Sequence, residues 1–202
     1  MNYQKELDRL IEKLEQSGAP KKLLIHSCCA PCSSYVLEYL SKYFEITVFY
    51  YNPNIYPEEE YNRRVEEQQR LILAIPKGYP VTFRQGEYEP KDYYDYVKGY
   101  EEEPEGGERC FRCYRMRLRE AAEKAKEGGY DYFTTTLSIS PHKNADKLNE
   151  IGMELAAEYG IGYLPSDFKK KNGYRRSIEL SKEFDLYRQD YCGCVFSRRA
   201  NK

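Results

Sequence analysis

Residues 22–54, KLLIHSCCAPCSSYVLEYLSKYFEITVFYYNPN, decide the fold. KLLIH (22–26) is a short apolar run that reads as a buried strand, and EITVFYY (45–51) is rich in the β-branched and aromatic residues of a second one. Between them SSYVLEYLSKY (33–43) has helical spacing. A strand, a helix and a strand in so short a span form a βαβ unit, which requires the strands to run parallel. The segment HSCCAPC fills the turn from the first strand into the helix.

The same alternation continues outward. Leu7, Leu10, Ile11 and Leu14 recur at helical spacing, so residues 1–20 read as an amphipathic helix ended near Gly18 and Pro20. A long helix is predicted over 58–75, after Pro57, followed by a short strand at 81–83. The tyrosine-rich, acidic stretch 88–108 reads as an irregular insertion with a helical turn or two. Helices follow at 113–127, with Gly128 and Gly129 as the stop signal, at about 144–159, and at 175–184. YDYFTTTLS (130–138) and IGYLPSDF (161–168) supply the remaining strands. The pattern predicts one α/β domain over residues 1–202, a Rossmann-like, mostly parallel sheet flanked by helices.

On that scheme Cys28–Cys32, Asn52–Asn54, Ser138–His142 and Asp167 all follow strands. Ligands of open parallel sheets bind outside the carboxyl ends of the strands, so these loops are expected to line one crevice.

All seven cysteines fall into three tight groups: Cys28, Cys29 and Cys32; Cys110 and Cys113; Cys192 and Cys194. They sit beside Pro, Gly, Arg and Tyr rather than scattered among apolar neighbours, as core thiols would be. An odd count cannot pair completely into disulfides. The segment MNYQKELDRLIEKLEQSGAP is charged throughout and no apolar run approaches membrane-spanning length, so a cytoplasmic protein with reduced thiols and no membrane contact is expected. Clustered cytoplasmic thiols point to metal or catalysis. The first two groups lie at predicted helix starts, where the helix dipole favours thiolates. One all-thiolate zinc site shared between the two C-x-x-C pairs would leave Cys28, Cys192 and Cys194 unexplained. An iron–sulfur cluster, with the remaining thiols on a second metal or acting as a redox pair, uses all seven.

The other candidates carry two readings each. His26 at a strand end is a core histidine or an active-site one. His142, after Pro141 in a crevice loop, is a candidate acid or ligand. Asp167 is a hard oxygen ligand or a cap. Most of the 22 tyrosines are packing and surface. Net charge is −1, but RCFRCYRMRLR (109–119), KKKNGYRR (169–176) and the tail SRRANK are basic against the acidic EEEPEGGE (101–108). Such segregation suits a local basic patch, while solvated helix faces account for it equally.

Five segments carry a resemblance: HSCCAPCSS, YYNPNIYPEEEYNRR, GERCFRCYRMRL, TTTLSISPHKN and SDFKKKNGYRRSIELSKEFDLYRQDYCGC. They resemble the QueH-type epoxyqueuosine reductases, cobalamin-independent enzymes of the last step of queuosine formation in tRNA. The resemblance runs from about residue 22 to 197, with no departure at any cysteine. It implies a fold related to the PP-loop and nucleotide α-hydrolase group, although SCCAPCSS has no glycine where a phosphate loop would stand and is expected to hold metal instead. It also implies a [4Fe-4S] cluster with a further mononuclear metal ion, iron, close by.

The implied reaction converts the epoxide of tRNA-borne epoxyqueuosine to the cyclopentene, with two electrons from an external low-potential donor, two protons, and release of water. Such a step asks for a Lewis acid at the epoxide oxygen and an acid such as His142. Cys28, Cys29, Cys110 and Cys113 are assigned to the metal centre first and Cys32 next. Cys192 and Cys194 complete a second metal site or cycle as a dithiol. Lys169, Lys170, Lys171, Arg175 and Arg176, after the last strand, are placed at the mouth to meet tRNA phosphates. The rival classes are a PP-loop tRNA sulfur-transfer enzyme, which lacks its glycine loop here, and a zinc-stabilised RNA-binding module.

Overall fold

A computed structural model describes residues 2–16 and 18–199; the last three residues of the basic tail lie outside it. Strands β1 (Lys21–His26), β2 (Phe44–Tyr50), β3 (Val81–Gln85), β4 (Tyr132–Thr135) and β5 (Gly162–Tyr163) form one sheet in the order β3-β2-β1-β4-β5. Every pairing is parallel. Eight helices accompany them among the described residues: α1 (Tyr3–Glu15), α2 (Ala30–Leu40), α3 (Glu58–Ala74), α4 (Pro90–Tyr96), α5 (Glu108–Glu127), α6 (Ala145–Tyr159), α7 (Gly173–Glu183) and α8 (Val195–Arg199).

A sheet buried on both faces needs apolar residues at consecutive positions, and β1 shows why the apolar run is continuous. Leu23 and Ile25 face a core shared with α1, α2 and α3, while Leu24 faces a second core with α5 and α6. The amphipathic α1 contributes Leu7 and Ile11 to the first core. In the stretch 88–108, α4 is followed by a loop whose backbone carbonyls at Tyr100, Glu101 and Glu103 accept hydrogen bonds from the buried Arg109 guanidinium.

Two strands are shorter than the sequence pattern suggests. The predicted strand 130–138 ends at Thr135, whose Oγ1 accepts from the Leu137 amide at 3.2 Å and turns the chain into a 3-10 turn over Thr136–Ile139. The predicted strand 161–168 is reduced to Gly162–Tyr163. Pro165 has no N–H for a ladder, and the Ser166 backbone is taken by the Asn149 side chain at 2.8 Å in both directions. Strand composition alone does not show such side-chain competitors.

The sheet order creates the crevice. From β1 the chain goes to β2 and β3 on one side, and β4 and β5 lie on the other, so the loops after β1 and β4 diverge. Gly152 of α6 shows how tightly the second core is closed: a Cβ there would stand 2.2 Å from Cζ of Tyr163. Gly152→Ala is therefore expected to destabilise the fold by about 1–3 kcal/mol through overpacking. Urea unfolding checks this as a lowered midpoint with an unchanged slope.

Candidate metal and active site

Cys28 and Cys29 follow β1 directly, and Cys29 is the extended N-cap residue of α2. Pro31 is tolerated in the first turn because its missing N–H would have had no helical partner. The sulfurs of Cys28, Cys29 and Cys32 all lie within 4.8 Å of one another, and among the described residues no other three Cys, His, Asp or Glu ligand atoms do so. Hydrogen bonds from Cys28 and Cys32 hold the Cys29 thiol well below its ordinary range, with the Arg64 charge adding to them. The loop is braced from behind by Ser27 and Ser33, whose hydroxyls approach Gln68 Oε1 at 2.8 and 2.7 Å, and by Asn52 Nδ2 donating to Ser27 O at 2.7 Å.

The second set of thiols comes from two places. Cys110 and Cys113 lie in the first turns of α5, where Cys110 Sγ accepts from the Gly106 amide at 3.3 Å. Cys113 packs with Cys194 beside Tyr93 and Val97, and burial pushes its thiol up to about 11. Cys192 accepts from Lys143 Nζ at 2.9 Å. A hydrogen bond from Cys194, together with the Lys143 and Arg117 charges, holds Cys192 well below its ordinary range. All seven cysteines are free.

The loop that carries Cys192 and Cys194 is fastened to α3. The fully buried Arg64 pairs with Glu60 Oε1 at 2.6 Å and donates to the carbonyls of Cys192 and Tyr191 at 3.2 and 3.4 Å. Tyr56 N donates to Gly193 O at 2.8 Å. Gly193 has φ +120°, and a Cβ there would meet Ile55 Cγ1 at 2.9 Å, so only glycine fits this turn.

A cavity of about 490 Å3 opens at this edge of the sheet. Its wall includes Cys28, Cys32 and Cys192, the buried cations Arg117 and Lys143, and the exposed His142. Asp167 is not among its lining residues; it is half-buried and paired with Lys169 at 2.8 Å. His26 is fully buried between β2 and β4, with Nδ1 3.0 Å from Thr135 Oγ1 and Nε2 3.1 Å from Tyr51 O. Burial and the Arg117 charge lower its pKa to about 3, so it is a neutral core histidine that ties the crevice loops together.

The basic segment 169–176 is largely compensated. Lys169 pairs with Asp167, Lys171 with Asp8, Arg175 with Glu179, and Arg176 with Glu38, Glu179 and Glu183. Lys170 is exposed and has no ion pair among the described residues. Arg64, Arg117 and Lys143 were not singled out from the sequence. Arg117 had a signal, since it follows Cys110 and Cys113 on one face of the same helix, at seven and four residues. Lys143 directly follows His142, whereas Arg64 looks like any helix-surface cation.

The donor set fits a thiolate-held metal centre. It offers seven free thiols, of which Cys28, Cys29 and Cys32 are mutually in range and Cys28, Cys32 and Cys192 share one cavity wall with Arg117 and Lys143. A thiol-lined, cation-balanced cavity at the switch point of an all-parallel sheet marks an α/β enzyme whose Cys28, Cys29 and Cys32 could bind a metal ion. The chain belongs to the epoxyqueuosine reductase QueH family, whose model matches residues 23–200. It is 45% identical over 201 residues to an epoxyqueuosine reductase QueH of Streptococcus pyogenes serotype M1, covering 98% of this chain and 79% of the relative. A Staphylococcus epidermidis relative of the same name is 46% identical, covering 98% and 84%. A Thermotoga maritima relative is 38% identical, covering 87% and 89%. The chain is thus an epoxyqueuosine reductase, an oxidoreductase of queuosine biosynthesis.

Arg64→Met would leave the Glu60 carboxylate buried without its partner. The variant is expected to lose about 3–5 kcal/mol of stability, read by urea unfolding, with Arg64→Lys recovering part of it. A loss below about 1 kcal/mol would show that other contacts fasten the Cys192 loop.

Proposed function

We propose that this chain reduces epoxyqueuosine carried at the wobble position of tRNA, at a metal centre held by its thiols. The observation that carries the reading is the three-sulfur group of Cys28, Cys29 and Cys32 at the sheet's switch point, with Cys192 on the same cavity wall and Cys110 packed in the same cluster. Cys28, Cys29, Cys110 and Cys113, and after them Cys32, would hold the metal centre, a [4Fe-4S] cluster. Cys192 and Cys194 complete the site of a mononuclear iron or serve as a dithiol. When bound, such a centre supplies electrons singly at low potential and a Lewis acid for oxygen.

The chain's own groups provide the rest. The epoxide becomes an alkene by taking up two electrons and two protons and releasing water. His142, on the cavity wall, is placed to deliver a proton to the departing oxygen. Asp167 acts through Lys169, whose Nζ also donates to Ser138 O at 3.0 Å, and so positions the Ser138–His142 loop. Tyr174 lines the cavity and would offer a face to an extruded base.

The strand order supports kinship with the PP-loop and nucleotide α-hydrolase group, and the single sheet with its two cores supports one domain. No helix among the described residues is long and apolar enough to cross a membrane. A cytoplasmic setting, with an external low-potential electron donor, suits a tRNA-modifying reductase that keeps its thiols free.

The direct test is anaerobic incubation with epoxyqueuosine-containing tRNA and a low-potential reductant, followed by nucleoside mass analysis. Queuosine, lighter by one oxygen, is the expected product; unchanged epoxyqueuosine with an iron-loaded protein sinks the proposal. Cys110→Ala is expected to lower bound iron and sulfide as well as turnover, and full iron retention would remove Cys110 from the ligand set. In the segment Lys169, Lys170, Lys171, Arg175 and Arg176, carboxylates already balance all but Lys170. Lys170→Glu is therefore expected to weaken tRNA binding and lower the salt slope by about one, measured by filter binding at several salt concentrations. An unaltered slope would take the tRNA contact away from this residue.

A further inference from the structure

Four cations are buried near the thiols; Arg109 spends its guanidinium on the carbonyls of Tyr100, Glu101 and Glu103, and the other three differ in what balances them. Arg64 has the Glu60 carboxylate at 2.6 Å. Lys143 has Glu105 at 3.5 Å as well as Cys192. Arg117 has no carboxylate partner among the described residues, although only 1% of it is exposed. Its Nε donates to Cys113 O at 3.3 Å and its Nη1 to Asn52 Oδ1 at 3.4 Å. The remaining nitrogen, Nη2, is buried and has no protein partner among the described residues.

A buried guanidinium that nothing balances is costly, so its counter-charge must come from the groups that face it. Those groups are thiols of all three cysteine segments. Arg117 lines the cavity together with Cys28, Cys32 and Cys192, and it follows Cys113 by one helical turn. Its anchor Asn52 also holds Ser27, so the guanidinium is keyed to the loop that carries Cys28 and Cys29.

We propose that Arg117 is a positioning residue for the metal centre, a fixed cation shared by the cysteine groups that raises the reduction potential of what they hold. This rests on the thiolate-held centre proposed above. Reduction adds negative charge to such a centre, and a desolvated cation beside it favours the reduced form. Lys143 cannot take this part alone, because Glu105 already offsets it.

The test loads wild-type, Arg117→Met and Arg117→Lys proteins with iron and sulfide anaerobically. Iron per chain is measured, then the midpoint potential by titration followed with electron paramagnetic resonance. The Met variant is expected either to keep its iron at a more negative potential or to lose iron that the Lys variant retains. In both cases the Lys variant returns most of the effect, because it restores charge without the guanidinium's two anchoring hydrogen bonds. A Met variant with full iron at an unshifted potential overturns the proposal. Equal loss of iron from both variants also overturns it, since geometry rather than charge would then be what Arg117 supplies. A wild-type protein that binds no cluster refutes the metal-centre reading itself, which separates that failure from this one.

Discussion

The strands β1 and β4 lie side by side, yet the chain leaves their carboxyl ends in different directions, and the whole site depends on that divergence. A parallel sheet has nowhere else to leave a gap, because helices cover both faces. The gap takes the Cys28–Cys32 loop from one side and the Ser138–Lys143 loop from the other. His26 spans the divide from beneath, bonded to Thr135 of β4 and to the backbone just after β2. His26 is not on the cavity wall itself, which loop and helix residues build above it.

Electrostatics then decides what can occupy the cavity. Buried thiols resist ionisation, as Cys113 does, unless a cation or a hydrogen bond favours the thiolate, as at Cys29 and Cys192. Buried guanidinium and ammonium groups have the converse problem. Arg64, Arg117 and Lys143 thus solve one another's cost together with the sulfurs: each charge is tolerable because the opposite charge is nearby.

Much of this is legible in the sequence, for identifiable reasons. The strands predicted at 22–26 and 45–51 match β1 and β2 closely, because a doubly buried strand must be apolar at every position. The loops at 28–32 and 138–142 do meet at one cavity, as expected from the carboxyl-end rule. Residues 164–168 read as strand because their composition is that of one; the Asn149 side chain that captures Ser166 is invisible without the tertiary structure. The cation segment 169–176 looks uncompensated in sequence because two of its carboxylate partners, Asp8 and Glu38, are far away along the chain. Buried cations are the hardest to read. Arg64 and Arg117 sit in helices with charged neighbours, and only packing tells them apart from the solvated ones.

The fastening of the Cys192 loop to α3 by Arg64 has a consequence for the order of assembly. Cys28 and Cys192 are drawn from distant parts of the chain, and such contacts form only after the intervening elements have closed. The first three thiols come together locally, through one strand end and one helix start, and are available as soon as that unit forms. The last pair is held by Arg64 of α3, paired with Glu60, from a distant part of the chain. The two thiol groups therefore differ in contact order: one is built by neighbours in sequence, the other by a contact between α3 and a distant loop.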